Sequence, residues 1–216
     1  MPELYILILT VPIILLSLVI HEFAHGMVSY KLGDPTPKLM GRLTLNPFAH
    51  LDPFGTVMII VTLLRGFGFG WAKPVPIDPR YYRNPAKGVV LVALAGPVAN
   101  LTLACLFGLP LRLLNMGYWP SALGWELGFL LIQFFYTGML LNLGLAFFNL
   151  LPIPPLDGSR LVRYFLRGSA FHFYTQLERY GFIILFALLF FFNRPFSRFF
   201  TILLNFGAFL ITGFGI

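Results

Sequence analysis

Apolar residues run almost unbroken over residues 4–30, 88–114, 123–151 and 196–214, with a shorter run at 180–192. A helix needs about 20 predominantly apolar residues to cross a bilayer, so the first four runs predict membrane spans and the fifth is marginal. A further run over residues 54–64 stops at Arg65, ahead of a glycine-rich stretch. It is too short for a full crossing and predicts a partial or re-entrant element. The polar stretch 31–52 opens on Gly33-Asp34-Pro35, a helix stop, and closes on the turn pairs Asn46-Pro47 and Asp52-Pro53. Residues 67–77 read F-G-F-G-W-A-K-P-V-P-I, glycines and prolines punctuating aromatic and β-branched residues. That pattern predicts a short irregular β-hairpin and not a helix. The expected fold class is an all-α polytopic membrane protein of about five to six transmembrane or re-entrant helices, with one short β-hairpin. With no repeat or low-complexity linker, the chain reads as a single membrane-embedded domain over residues 1–216, its C-terminal helical hairpin at about 179–214.

Composition agrees. Hydrophobic residues make up 58% of the chain and charged residues 11%, with 25 phenylalanines, far from the balance of a soluble domain. The first apolar run has no basic residues before it and no small-residue cleavage site, so it is expected to stay in place as a span. A net charge of +7 in a soluble protein would suggest nucleic acid as a partner. Here the cations sit in the loops beside spans and report orientation, so no nucleic acid is expected. If residues 54–64 do not cross, Lys31, Lys38, Arg42, Arg65, Lys73, Arg80, Arg83 and Lys87 share a side with Arg160, Arg163, Arg167 and Arg179. Arg112, Arg194 and Arg198 fall on the other. The positive-inside rule makes the richer side cytoplasmic. Tyr118 and Trp119 then suit an interfacial aromatic belt, and Arg160, Arg163 and Arg167 suit anchoring at anionic headgroups. Cys105, the one cysteine, reads as a small buried apolar residue.

Within the first span stands His21-Glu22-Phe23-Ala24-His25. On a helix two histidines four apart share one face and can reach one metal ion, while the glutamate beside the first can take a proton from water activated there. Charge in lipid costs several kcal/mol unless paired or coordinated, which argues against a purely structural role for the trio.

A catalytic zinc takes three protein ligands and keeps one position open. The remaining candidates are His50, His172, Cys105, Asp34, Asp52, Asp78 and Asp157. Asp157 ends the run N-L-L-P-I-P-P-L-D-G over residues 149–158, where three prolines stop the preceding span and Gly158 frees the backbone. Taken alone, a D-G pair is as well read as an ordinary turn at a membrane edge. Topology favours the ligand. At 1.5 Å per residue His21 lies about 25 Å along its helix from Leu4, in the cytoplasmic half of the bilayer. The C-terminal end of the 123–151 span reaches the same depth if one full crossing, 88–114, separates the two spans. His50 and His172 are left as ordinary loop histidines.

With these residues in view, the chain resembles the site-2 protease family of intramembrane zinc metalloproteases. The likeness extends over H-E-F-A-H and the G-M-V-S-Y-K-L-G-D-P-T-P that follows it, over G-R-L-T-L-N-P-F-A-H-L-D-P-F-G-T at 41–56 and F-G-W-A-K-P-V-P at 69–76. It continues through A-G-P-V-A-N at 95–100 and the run at 149–158. The resemblance implies a three-helix catalytic core within about residues 4–158, with His21, His25 and Asp157 as ligands of one Zn2+ per chain and Glu22 as general base. It also implies that the 67–77 hairpin, with Trp71 and Lys73, pairs with an unwound substrate as an added strand. Asn100 and Asn149 are the polar side chains expected near the cleft, holding substrate backbone or the oxyanion; hydrogen bonding between helices is the competing role. The expected partners are a transmembrane protein substrate and the lipid bilayer of the cell membrane, with the active site toward the cytoplasm. A zinc transporter, the rival from another class, would need more ligands along a permeation route. An inactive homologue acting as a binding protein is the second rival, and no member of the catalytic set is missing.

Overall fold

The computed structural model describes residues 2–65, 70–118 and 124–214. Nine α-helices occur among them, besides two short 3-10 turns: α1 (Pro2–Lys31), α2 (Thr36–Leu39), α3 (Pro53–Arg65), α4 (Pro85–Asn115), α5 (Trp125–Asn149), α6 (Asp157–Phe165), α7 (Gly168–Glu178), α8 (Gly181–Phe191) and α9 (Asn193–Thr212). Four are long and apolar enough to cross a membrane: α1 over Leu9–Lys31, α4, α5 and α9. The chain is thus a multi-pass helical membrane protein. α3 has 13 residues, about 20 Å of helix against about 30 Å of hydrocarbon, in keeping with a partial element. α8, the marginal run, has 11 residues and is too short to cross by itself. It joins α7 at a 75° bend, and the pair counts as a fifth candidate span only if taken together.

The described part of the expected hairpin is a single extended segment, and residues 67–69, like Trp119, lie outside the described residues. Among the described residues there is no strand; one antiparallel bridge joins Ala72 to Leu51. The reason lies in the next residues. Pro74 and Pro76 have no N–H to donate, so a ladder begun at Ala72 cannot propagate through them.

By its internal contacts the chain forms two compact units, residues 1–99 and 100–216. In the first, the turn after α1 closes on Asp34, which is fully buried. Its carboxylate accepts from Ser29 Oγ at 2.7 Å, the Thr36 amide at 2.9 Å and the Asp78 amide at 2.7 Å, and Ser29 Oγ also meets the Tyr82 hydroxyl at 2.7 Å. One side chain thereby ties the end of α1 to residues 44 positions later. Burial works to raise the Asp34 pKa, but hydrogen bonds from Thr36, the Asp78 amide and Ser29 together outweigh it and hold the carboxyl below its usual range. A depressed folded pKa means the stabilisation is present above the ordinary carboxylate value and lost as pH falls through the folded one. Asp34→Asn is therefore expected to cost about 2 kcal/mol near neutral pH. In thermal melts the gap between parent and variant should close as pH drops below about 4; a gap independent of pH would count against the ionised carboxylate.

In the second unit Ala104, Leu111, Met139, Leu143 and Ala208 form the buried core of α4, α5 and α9. Glycine allows the close approach: a Cβ at Gly138 would strike the Phe107 ring, and one at Gly108 would strike Ile211. Cys105 is exposed, contrary to expectation. Ala104, Gly108 and Leu111 share the core-facing side of α4, and Cys105 is turned about 100° away from Ala104. Arg163 does not stand free as a headgroup anchor: it pairs with Glu178 at 3.1 Å and lies over the Phe171 ring.

Candidate metal centre

The C-terminal half of α1 carries His21, Glu22 and His25 in unbroken helix. The two imidazoles are buried and meet edge to face at 80°, with their Nε2 atoms 3.0 Å apart. Two ligands on one tetrahedral zinc stand about 3.3 Å apart, given Zn–N distances of about 2.05 Å. His25 Nδ1 lies 2.6 Å from the carbonyl of Val92 on α4. A carbonyl only accepts, so Nδ1 carries a proton, and in the neutral ring Nε2 is then the nitrogen that can act as ligand, the tautomer a metal requires. One turn further along α4, Gly96 leaves the room: a Cβ there would fall on His25 Nε2, 2.5 Å from His21 Cε1 and 2.6 Å from His21 Nε2. Gly96 is thus the wall against which both rings are set.

Glu22 is half-buried, and its Oε2 accepts the Val75 amide at 2.9 Å. The extended segment containing Val75 is held on the same side by the Lys73 amide, which donates to the His50 carbonyl at 2.8 Å. Arg42, buried, adds a brace that sequence reasoning missed. Its guanidinium donates to the carbonyls of Ala49, Lys73 and Pro74. A lone basic residue in a turn-rich loop reads as a topology charge, and only the folded chain surrounds it with carbonyls. His50 is likewise no ordinary loop histidine: it is 1% exposed, with Nε2 2.8 Å from the Thr44 carbonyl. Trp71 is half-buried beside Gly55, while the Lys73 side chain is exposed.

The second unit holds the remaining candidates. α5 ends at Asn149, and Asp157 opens α6 after the proline-rich turn. A side chain at 158 would collide with the Leu150 and Leu151 carbonyls, which is why glycine follows the aspartate. Asn100 is fully buried and donates from Nδ2 to Asn142 Oδ1 at 2.9 Å, joining α4 to α5. Asn142, itself fully buried and donating to the Gly138 carbonyl, was not singled out by the sequence, where it reads as one polar residue in an apolar run. Asn149 donates to the Leu145 carbonyl of its own helix. Most competing ligand candidates are engaged elsewhere: Asp34 as above, Asp52 capping Gly55 at 2.8 Å and Asp78 paired with Arg80 at 2.6 Å. His172 is exposed against Phe171.

A multi-pass helical protein with two convergent histidines and a carboxylate on one span defines a class, and comparison with known proteins agrees. Residues 121–192 match the model of peptidase family M50. YwhC of Bacillus subtilis, provisionally named a zinc metalloprotease, is 46% identical over 176 residues, covering 81% of this chain and 77% of the relative. Rip2 of Mycolicibacterium smegmatis, named in the same provisional terms, is 32% identical over 181 residues, covering 81% of this chain and 64% of the relative. MJ0611 of Methanocaldococcus jannaschii, again provisionally a zinc metalloprotease, is 34% identical over 76 residues, covering 34% of this chain and 32% of the relative. No solved structure matches. The chain belongs to peptidase family M50, the site-2 protease family of zinc metalloproteases.

Proposed function

We propose that the protein is an intramembrane zinc endopeptidase that cuts peptide bonds within or beside transmembrane segments of other membrane proteins. The observation that carries this reading is the pair of Nε2 atoms 3.0 Å apart, with Glu22 beside them, on a helix apolar enough to span a membrane. His21, His25 and Asp157 are the residues that would hold one zinc ion per chain. Each offers one ligand atom, and two imidazole nitrogens with a carboxylate oxygen are a donor set zinc takes, leaving one position open. Asp157 is supported as third ligand by its place at the close of the proline-stopped span and by the other engagements of most competitors.

Bound zinc would supply Lewis-acid polarisation of the scissile carbonyl and acidify the attacking water. The chain supplies the proton transfer. Glu22 takes a proton from that water and delivers it to the leaving amine. Glu22 Oε2 accepts the Val75 amide, and Oε1 is the oxygen proposed for this transfer. A helical peptide bond is shielded by its own hydrogen bonds, so the substrate must unwind first. The extended segment around Trp71 and Lys73 is the surface on which it would do so. Asn100 and Asn149 keep a proposed place near the cleft, Asn100 also serving as a tie between helices through Asn142. The distribution of Lys and Arg supports an active site toward the cytoplasmic side of the cell membrane.

Purified protein incubated with a panel of single-span membrane substrates should cleave some of them, and a zinc chelator should stop the reaction. His21→Ala, His25→Ala and Asp157→Ala should each lower the zinc content measured on the purified variant, because a three-ligand site loses one contact. A full zinc load in Asp157→Ala would remove that residue from the ligand set.

A further inference from the structure

Glu22 is not left to find its orientation alone. In the tripeptide Pro74-Val75-Pro76 only the central residue has an N–H, and that N–H donates to Glu22 Oε2 at 2.9 Å. No other hydrogen bond engages the Glu22 carboxylate among the described residues. The donor is itself held still. Val75 is buried, and its Cγ1 would stand 3.1 Å from a Cβ placed at Gly26, one turn beyond Glu22 on α1. The residue before a proline is confined to extended conformations, so Pro76 fixes Val75. Two residues back, the Lys73 amide is fastened to the His50 carbonyl, and Arg42 holds the carbonyls of Lys73 and Pro74.

We infer that the Val75 peptide N–H is a positioning group for the general base: it pins Oε2 so that Oε1 alone faces the attacking water. This rests on the endopeptidase reading above. A carboxylate on a flexible side chain samples several rotamers, and catalysis depends on holding the proton acceptor within a narrow range of geometry. A hydrogen bond from a rigid backbone donor to one oxygen removes that freedom and leaves the other oxygen's lone pairs in place. The segment expected to receive substrate and the residue expected to move the proton are thereby joined through one amide.

The test removes the N–H without removing the residue. Val75→Pro deletes the donor, and Val75→Ala keeps the donor while removing side-chain packing. Each variant is assayed as the full purified chain for zinc content and for kcat and KM on a single-span membrane substrate. Val75→Pro should keep the parent zinc load and KM within about twofold while kcat falls about 10- to 100-fold, the loss expected for one hydrogen bond to a charged group. Val75→Ala keeps the donor but loosens the packing that helps hold it, so its kcat should fall less than that of Val75→Pro. The inference is overturned if Val75→Pro keeps parent kcat, if Val75→Ala falls as far, or if the loss appears in KM or in zinc. Should Val75→Pro not fold, replacing Val75 with its α-hydroxy acid analogue decides the matter, since an ester oxygen takes the place of the N–H and the isopropyl group is kept. Failure of the endopeptidase reading looks different: the zinc-loaded parent itself would cleave nothing.

Discussion

Glu22→Gln is expected to keep the parent zinc content and thermal stability while losing cleavage by about 10²- to 10⁴-fold, the range a general base contributes. The substitution is close to isosteric, and the amide oxygen of Gln can still accept the Val75 N–H that Glu22 Oε2 accepts at 2.9 Å. What it cannot do is take a proton from water. Zinc should stay because Glu22 is proposed as proton carrier and not as ligand, and substrate should still bind because the proposed binding surface is the extended segment and not this carboxylate. Zinc content and cleavage of a membrane-spanning substrate, measured side by side, check this. Cleavage at the parent rate would rule out Glu22 as base, and loss of zinc in parallel with activity would move it into the ligand set.

Gly96→Ala should lose zinc without any change to a ligand. The added methyl would fall on His25 Nε2 and lie 2.5 and 2.6 Å from His21 Cε1 and Nε2, well inside van der Waals contact. The rings cannot easily retreat, since His25 Nδ1 is bound to the Val92 carbonyl one turn earlier on the same helix. Disturbing groups that orient metal ligands costs about 10- to 100-fold in affinity, and direct displacement of both rings should reach the upper end or beyond. Competition against a chelator of known affinity measures it. Gly144→Ala is the control: its Cβ would stand 3.9 Å from Phe200 Cε1, an ordinary contact, and zinc affinity should be that of the parent. A parent-like affinity in Gly96→Ala would mean the imidazoles hold the ion in another arrangement.

The residues differ in how far they could be read in advance. His21, Glu22 and His25 are legible because four-residue spacing on a helix is a local geometric fact, and a long apolar run settles the helix. The four long spans are legible for the same reason, since the bilayer sets the length a run must have. The short elements were harder. α6 and α7 mix polar and aromatic residues in stretches with no apolar run to mark them. The hairpin over 67–77 was expected from composition, yet two prolines in the described part deny a ladder its donors, and one bridge is what remains.

By itself the sequence determined the class: a multi-pass membrane chain with two histidines spaced to share one metal ion, a glutamate beside the first as candidate base, and an aspartate at a proline-stopped helix end as third candidate ligand. These are properties of spacing and of charge in lipid, which act before any tertiary contact forms. Only the tertiary structure decided the tautomer of His25 through the Val92 carbonyl, the space at Gly96, the Val75 hydrogen bond to Glu22 and the pairing of Asn100 with Asn142. Each joins residues from 42 to 75 or so positions apart in the chain, where spacing carries no geometric information. What such residues contribute is a backbone carbonyl, an amide, a missing side chain or a buried amide pair, and those become chemistry only when packing brings them to the imidazoles, to the carboxylate or to one another.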